Sequence, residues 1–176
     1  MKIKISFIII CLLLSSQVFA QKKKKADDAT LEFRYEAEAA VGQATQGYTL
    51  VKVFSYAKDK NIAMSQAGKN AVHAILFRGT ADYNSVDGKI RIKGQKPIIP
   101  DVLVYDENIE YFKEFFKDGG QFQRYVQLVN NGIPDPGDII KIGKEYKVGV
   151  KVLVNTSALR KTMEKAGMIK ALGGVF

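Results

Sequence analysis

Tyr146-Lys147-Val148-Gly149-Val150-Lys151-Val152-Leu153-Val154 alternates with a period of two, and Tyr146, Val148, Val150, Val152 and Val154 fall on one side. A β-strand sends successive side chains to opposite faces, so this spacing predicts a strand with one apolar face. Asn155, Thr156 or Ser157 follows as the cap of a closing helix that stops near Gly167. An apolar strand face needs a second layer to cover it, and the rest of the chain supplies one.

Towards the N-terminus, Leu31, Phe33, Tyr35 and Ala37 alternate with Glu32, Arg34, Glu36 and Glu38, the pattern of a half-buried strand over residues 30–39. Tyr48 to Tyr56 is rich in β-branched and aromatic residues, and the flexible turn Gly42 to Gly47 makes the two a hairpin. Asn61 can cap a helix running to Arg78, with Gly79 as its stop. Ala63, Ala67, Ala71 and Ala74 form one stripe that lets the helix approach the sheet closely, and Met64, Val72, Ile75 and Leu76 widen the apolar arc. So broad an arc implies cover on two sides, by the sheet and by another helix or a second subunit. Val72, Leu76 and the apolar C-terminal residue Phe176 are therefore the candidate interface.

Residues 80–105 form a long connection, and connections of that length are uncommon unless functional or mobile. Lys89 to Lys93 alternates like an edge strand, and Val102 to Tyr105 reads as another short strand beyond Pro97 and Pro100. A second helix starts at Asp106 or Asn108, with Ile109, Phe112, Phe115 and Phe116 as its apolar face, and ends at Asp118-Gly119-Gly120. Gln121 to Val129 reads as a strand and Asn130 to Asp138 as a Pro/Gly turn region. The expectation is an α+β fold, a mixed or antiparallel sheet of about four to five strands with helices on one face.

The chain opens with Lys2 and Lys4, an apolar run from Ile5 to Leu14, and small residues Val18 and Ala20, the order of a secretory signal cleaved after residue 20. The run is well short of the roughly twenty residues that a membrane-spanning helix needs. Cys11, the only cysteine, lies inside that run, so the mature chain is expected to lack disulfides and thiolate sites. Residues 21–29 read as a basic flexible linker and residues 30–176 as a single domain. The formal charge of +9 falls to +7 without the signal, and to +3 when Lys22, Lys23, Lys24 and Lys25 are set aside. Basicity is thus a property of the tail, which counts against a nucleic-acid-binding face. The four lysines are either a tether to an anionic envelope surface or a solubilising linker.

No catalytic constellation is legible, and no cofactor or metal is expected. His73, the only histidine, falls on the polar arc of its helix beside Gln66, Lys69 and Asn70, and reads as a solvated surface residue. Glu32, Glu36 and Glu38 share an outward strand face, and Asp135 and Asp138 flank a Pro-Gly turn. Asp82, Asn84 and Asp87-Gly88 miss the calcium-loop spacing by one, with Lys93 where a bidentate glutamate belongs. No serine-nucleophile elbow, phosphate loop or dinucleotide fingerprint is present.

The hairpin strand Leu50-Val51-Lys52-Val53-Phe54-Ser55-Tyr56, the alanine stripe after it, and the later strand with its closing helix resemble small envelope domains. These are the domains related to the N-terminal domain of flagellar assembly protein T and the Lpp-type lipoproteins, and uncharacterised exported proteins of Bacteroidetes-type bacteria. The resemblance spans residues 48–166 and departs in lacking a lipidated cysteine and in its long middle connection. It implies an α+β fold, no catalytic activity, and a role as a periplasmic or outer-membrane assembly or interaction module, with protein partners or self-association. The alternative expectation is a ligand-binding domain that uses the 80–105 connection as its recognition loop.

Overall fold

The computed structural model describes residues 33–171. Chain contacts divide the molecule into residues 1–33 and 34–176, and the fold described is that of the second unit. The expected signal segment, the expected linker with Lys22, Lys23, Lys24 and Lys25, and Phe176 lie outside the described residues.

The fold is α+β, with a five-stranded antiparallel sheet and a separate two-stranded one. Strands β1 (Tyr35–Ala39) and β2 (Thr49–Ala57) form the expected hairpin, in register Tyr35↔Ser55 to Ala39↔Val51. Helix α1 (Lys60–His73) continues as a π-helical turn, Ala74–Arg78. Its cap is Asp59, whose side chain accepts from the Asn61 N–H at 2.7 Å, so Asn61 lies inside the first turn rather than before it. The 80–105 connection holds β3 (Tyr83–Asn84) and β4 (Arg91–Ile92), which among the described residues pair only with each other. The edge strand expected at Lys89–Lys93 is thus a two-residue ribbon outside the main sheet.

Val102 to Tyr105, expected as a strand, instead leads into helix α2 (Leu103–Glu107), followed by α3 (Ile109–Phe116). The Asp101 carboxylate accepts from the Leu103 N–H at 3.0 Å, and the Tyr105 ring stacks on Phe112 at 5.2 Å and 9°. Those two contacts override the β propensity of Val102, Val104 and Tyr105. The expected strand at Gln121–Val129 opens as a 3-10 turn, Gln121–Tyr125, and narrows to β5 (Val126–Leu128). A second 3-10 turn, Val129–Gly132, leads to β6 (Ile139–Ile142), then β7 (Glu145–Val154) and helix α4 (Thr156–Lys165). The Asn155 side chain accepts from the Ala158 N–H at 3.0 Å, so it is the helix cap that its position indicated.

Strand β7 is the centre of the sheet. It pairs with β2 along one side, and with β5 and β6 in succession along the other. Val148, Val150, Val152 and Val154 join Val51 and Val53 in the core with no solvent exposure, as the alternation predicted. Each such valine contributes about 1.5–3 kcal/mol by leaving water. Ala63, Ala67, Ala71 and Ala74 of α1 are equally buried against this face. On its far side α1 meets an aromatic layer, where Phe77 packs edge-on against Phe112 at 5.0 Å and His73 lies 5.8 Å from Phe116. Cover on two sides is therefore supplied within the chain, by the sheet and by α3.

Candidate functional site

The two edges of the main sheet are finished differently. Along β1, the Ala39 N–H donates to the Ala81 carbonyl and the Ala81 N–H donates to the Ala37 carbonyl, each at 2.9 Å. The chain entering the 80–105 connection thus closes that edge. Strand β6 runs along the opposite edge and pairs only with β7 among the described residues. Gly149 N–H donates to the Asp138 carbonyl at 2.8 Å, so Asp138 faces β7. In an antiparallel ladder alternate residues turn their amides to opposite sides. The backbone N–H and C=O groups of Ile139 and Lys141 therefore point outward, and no hydrogen bond among the described residues reaches them.

Local sequence explains why this edge forms where it does. Asp135-Pro136-Gly137-Asp138 closes a turn with the Asp138 N–H on the Asp135 carbonyl at 3.0 Å, and Gly137 supplies its positive φ of 89°. Gly143 at φ 59° is the first of the two residues joining β6 to β7, as in a type II′ hairpin turn. Four residues between two such turns make a short strand. Ile139, Ile140 and Ile142 are 44%, 45% and 50% exposed. Natural edge strands are normally shielded by charge, proline or cover, and here Lys141 alone does that work.

The sheet face opposite the helices is a lattice of charges around one aromatic ring. Phe54 lies against Gly149, where an added Cβ would come within 2.7 Å of its ring, and the Lys147 ammonium stands 4.8 Å from the ring centroid. Lys147 pairs with Glu36 at 2.7 Å, and the Tyr56 hydroxyl donates to the same glutamate. These hydrogen bonds, Lys147 first and then Tyr56, hold the Glu36 carboxyl below its ordinary pKa. Burial pushes the Glu38 carboxyl up in spite of Lys52. Lys151 pairs with Asp135 at 2.7 Å and draws that carboxyl down. Lys52 stands 2.5 Å from Asp138 Oδ2, an ion pair by distance without hydrogen-bond alignment. Two lysines of the face thereby pin the 135–138 turn that carries β6. Among the described residues Lys141 and Lys144 on the edge itself have no such partner.

The residues singled out from sequence are placed elsewhere. Val72 and Leu76 have no solvent exposure, so the candidate interface on α1 is corrected: both belong to the core, because the aromatic layer covers the second half of the helix. His73 is likewise corrected from a solvated residue to one that is 7% exposed. Its Nδ1 is 2.7 Å from the Tyr35 hydroxyl on β1, and burial, with Arg78 second, lowers its pKa to about 3. Lys69 and Asn70 on the same arc are buried too, and Asn70 Nδ2 donates to Ser55 Oγ at 2.8 Å. These are ties between α1 and the sheet, and a histidine held that neutral cannot serve as a base that cycles near pH 7. In the 82–88 loop, Asp82 accepts from the Gly94 N–H at 2.7 Å, and Asp87 accepts from Ser85 and from the Lys89 N–H. Those carboxylates are turn chemistry.

Strand β6 carries no alternation in the sequence, because all four of its residues are exposed. Its signals were the apolar Ile139-Ile140-Lys141-Ile142 run and Gly143 two residues before a strong strand. A surface pocket of about 190 Å³ lies between the β1–β2 turn and the 80–95 segment, lined by Tyr48, Thr49, Thr80, Ile92, Lys93 and Gln95 among others. Among the described residues no helix is long and apolar enough to cross a membrane. Compared with protein-family models, curated proteins and solved structures, the chain matches none.

Proposed function

We propose that the chain is a non-enzymatic exported envelope protein that acts as an assembly or interaction module in a periplasmic or outer-membrane complex, and that it accepts a partner strand along β6. The observation that carries this reading is the outward pair of backbone amides at Ile139 and Lys141, flanked by exposed isoleucines. An added strand satisfies such groups with main-chain hydrogen bonds, while pockets between alternate side chains select the sequence. The sequence resemblance to envelope assembly domains points the same way.

A photo-reactive residue at position 140, introduced into the full chain in its own cell, tests the edge. The expected result is one discrete protein adduct that disappears when Ile139→Pro is added, because proline removes an outward amide and leaves the β6–β7 ladder intact. A control at Ile62, equally exposed on α1, gives no such adduct. Adducts from position 62 but none from 140, or adducts indifferent to Ile139→Pro, would refute the reading.

One observation favours the second reading, a ligand-binding domain with 80–105 as recognition loop: Thr80, Ile92, Lys93 and Gln95 of that connection line the pocket. On that reading an envelope extract protects residues 80–105 from protease. Cleavage at an unchanged rate in every extract rejects it.

A further inference from the structure

We infer that the strand accepted at β6 belongs to a different protein and alternates apolar with acidic residues. The inference rests on the proposed strand addition and names its partner.

The charge balance around the edge carries the argument. Lys52, Lys147 and Lys151 of the sheet are each matched to a carboxylate within 2.7 Å. Lys141 in β6 and Lys144 in its turn are exposed, and neither has an ion-pair partner among the described residues. The carboxylates closest to them in sequence are committed elsewhere. Asp138 is held by Lys52, and Glu145 receives both guanidinium N–H groups of Arg34 at 3.0 and 2.8 Å. Positive charge at this edge is therefore left for a ligand to neutralise.

The side-chain order sets the pattern of that ligand. Ile140 and Ile142 sit opposite Lys147 and Glu145, on the charged face, while Ile139 and Lys141 sit opposite Val148 and Tyr146, on the other. A partner strand laid along β6 places its residues directly opposite these on the same faces. Apolar residues then meet Ile140 and Ile142, and an acidic residue between them meets Lys141, with a second acid in reach of Lys144.

A second copy of the chain fits poorly by the same reasoning. Two β6 strands joined antiparallel through the outward groups of Ile139 and Lys141 set each Lys141 opposite the other copy's Ile139, with the two Lys141 side chains diagonal on one face and within reach of each other, where like charges repel. The acidic strand β1, with Glu36 and Glu38, would suit the charge, yet its outer edge is already occupied by Ala81. Head-to-tail growth there would have to displace Ala81.

The test titrates the full chain with three eight-residue peptides that alternate valine with glutamate, with serine or with lysine. Binding of the glutamate peptide about fivefold tighter than the serine peptide at low ionic strength is expected, with the gap closing as salt rises. Lys141→Glu reverses the order towards the lysine peptide, and Ile139→Pro abolishes binding of all three. Equal affinity for the three peptides, or preference for lysine in the unaltered chain, overturns the acidic partner and leaves strand addition standing. A dimer by light scattering that Ile139→Pro dissolves overturns it in favour of a second copy. Binding that Ile139→Pro does not weaken removes the strand-addition reading itself.

Discussion

The two edges of the main sheet have the same backbone and different fates. At β1 the chain returns after α1 and lays Ala81 along Ala37 and Ala39, which satisfies the outward Ala37 carbonyl and Ala39 N–H. At β6 the chain arrives through one tight turn and leaves through another, with no strand laid outside it among the described residues. An unpaired edge invites association, and proteins that gain nothing from it cover it or load it with charge. Here one edge is covered and the other carries three exposed isoleucines around one lysine. Contact is therefore to be sought on the strand that no described residue covers, and not on the apolar helix, which is core.

A change at Leu76 tests the helix as an alternative contact surface most severely. Leu76→Asp puts a carboxylate where no solvent reaches, and should cost about 4 kcal/mol or more, enough to unfold the chain. Loss of the cooperative thermal transition confirms that α1 is core. A folded Leu76→Asp variant with altered assembly would restore the helix as an interface.

A smaller effect sharpens the anchoring of the closed edge. Tyr35 on β1 holds His73, whose folded pKa of about 3 lies below its ordinary 6.5, with Arg78 opposing protonation and the Tyr105 ring against the imidazole. The fold therefore keeps the neutral ring. This contribution is fully present above pH 6.5 and is lost progressively as pH falls from 6.5 towards 3, because the unfolded chain binds the proton first. Between pH 6.5 and 5, urea unfolding should show a loss of about 1.6 kcal/mol. The double variant Tyr35→Phe, His73→Phe should lose far less over that interval. An equal slope in both proteins would place the acid sensitivity elsewhere.

The smallest effect is expected at β6. Ile140→Asp changes a side chain that is 45% exposed and should shift stability by no more than about 0.5 kcal/mol, read by the same urea titration. It should nevertheless weaken partner binding. A loss comparable to that of Leu76→Asp would mean that the edge is packed.

Much of this fold is legible in the sequence, and the failures have physical causes. Strand β7, the β1–β2 hairpin, the alanine stripe and the Asn155 cap follow from side-chain period and capping chemistry, which are local. Val102 to Tyr105 misleads because its side chains favour strand, while Asp101 and the Phe112 ring, eleven residues from the former, decide for helix. His73 misleads because a helical wheel shows which residues share an arc but not what covers it, and the second cover comes from α3. Strand β6 escapes because all four residues are exposed, so it lacks the alternation that burial imposes. The candidate site is hard to read for that same reason.

Amide hydrogen exchange on the isolated full chain compares the two edges most directly. Fast exchange at Ile139 and Lys141, beside slow exchange at Ala39 and Ala81, is the result that an open and a closed edge predict. Slow exchange at Ile139 and Lys141 as well would mean that β6 is already covered, and would contradict the account.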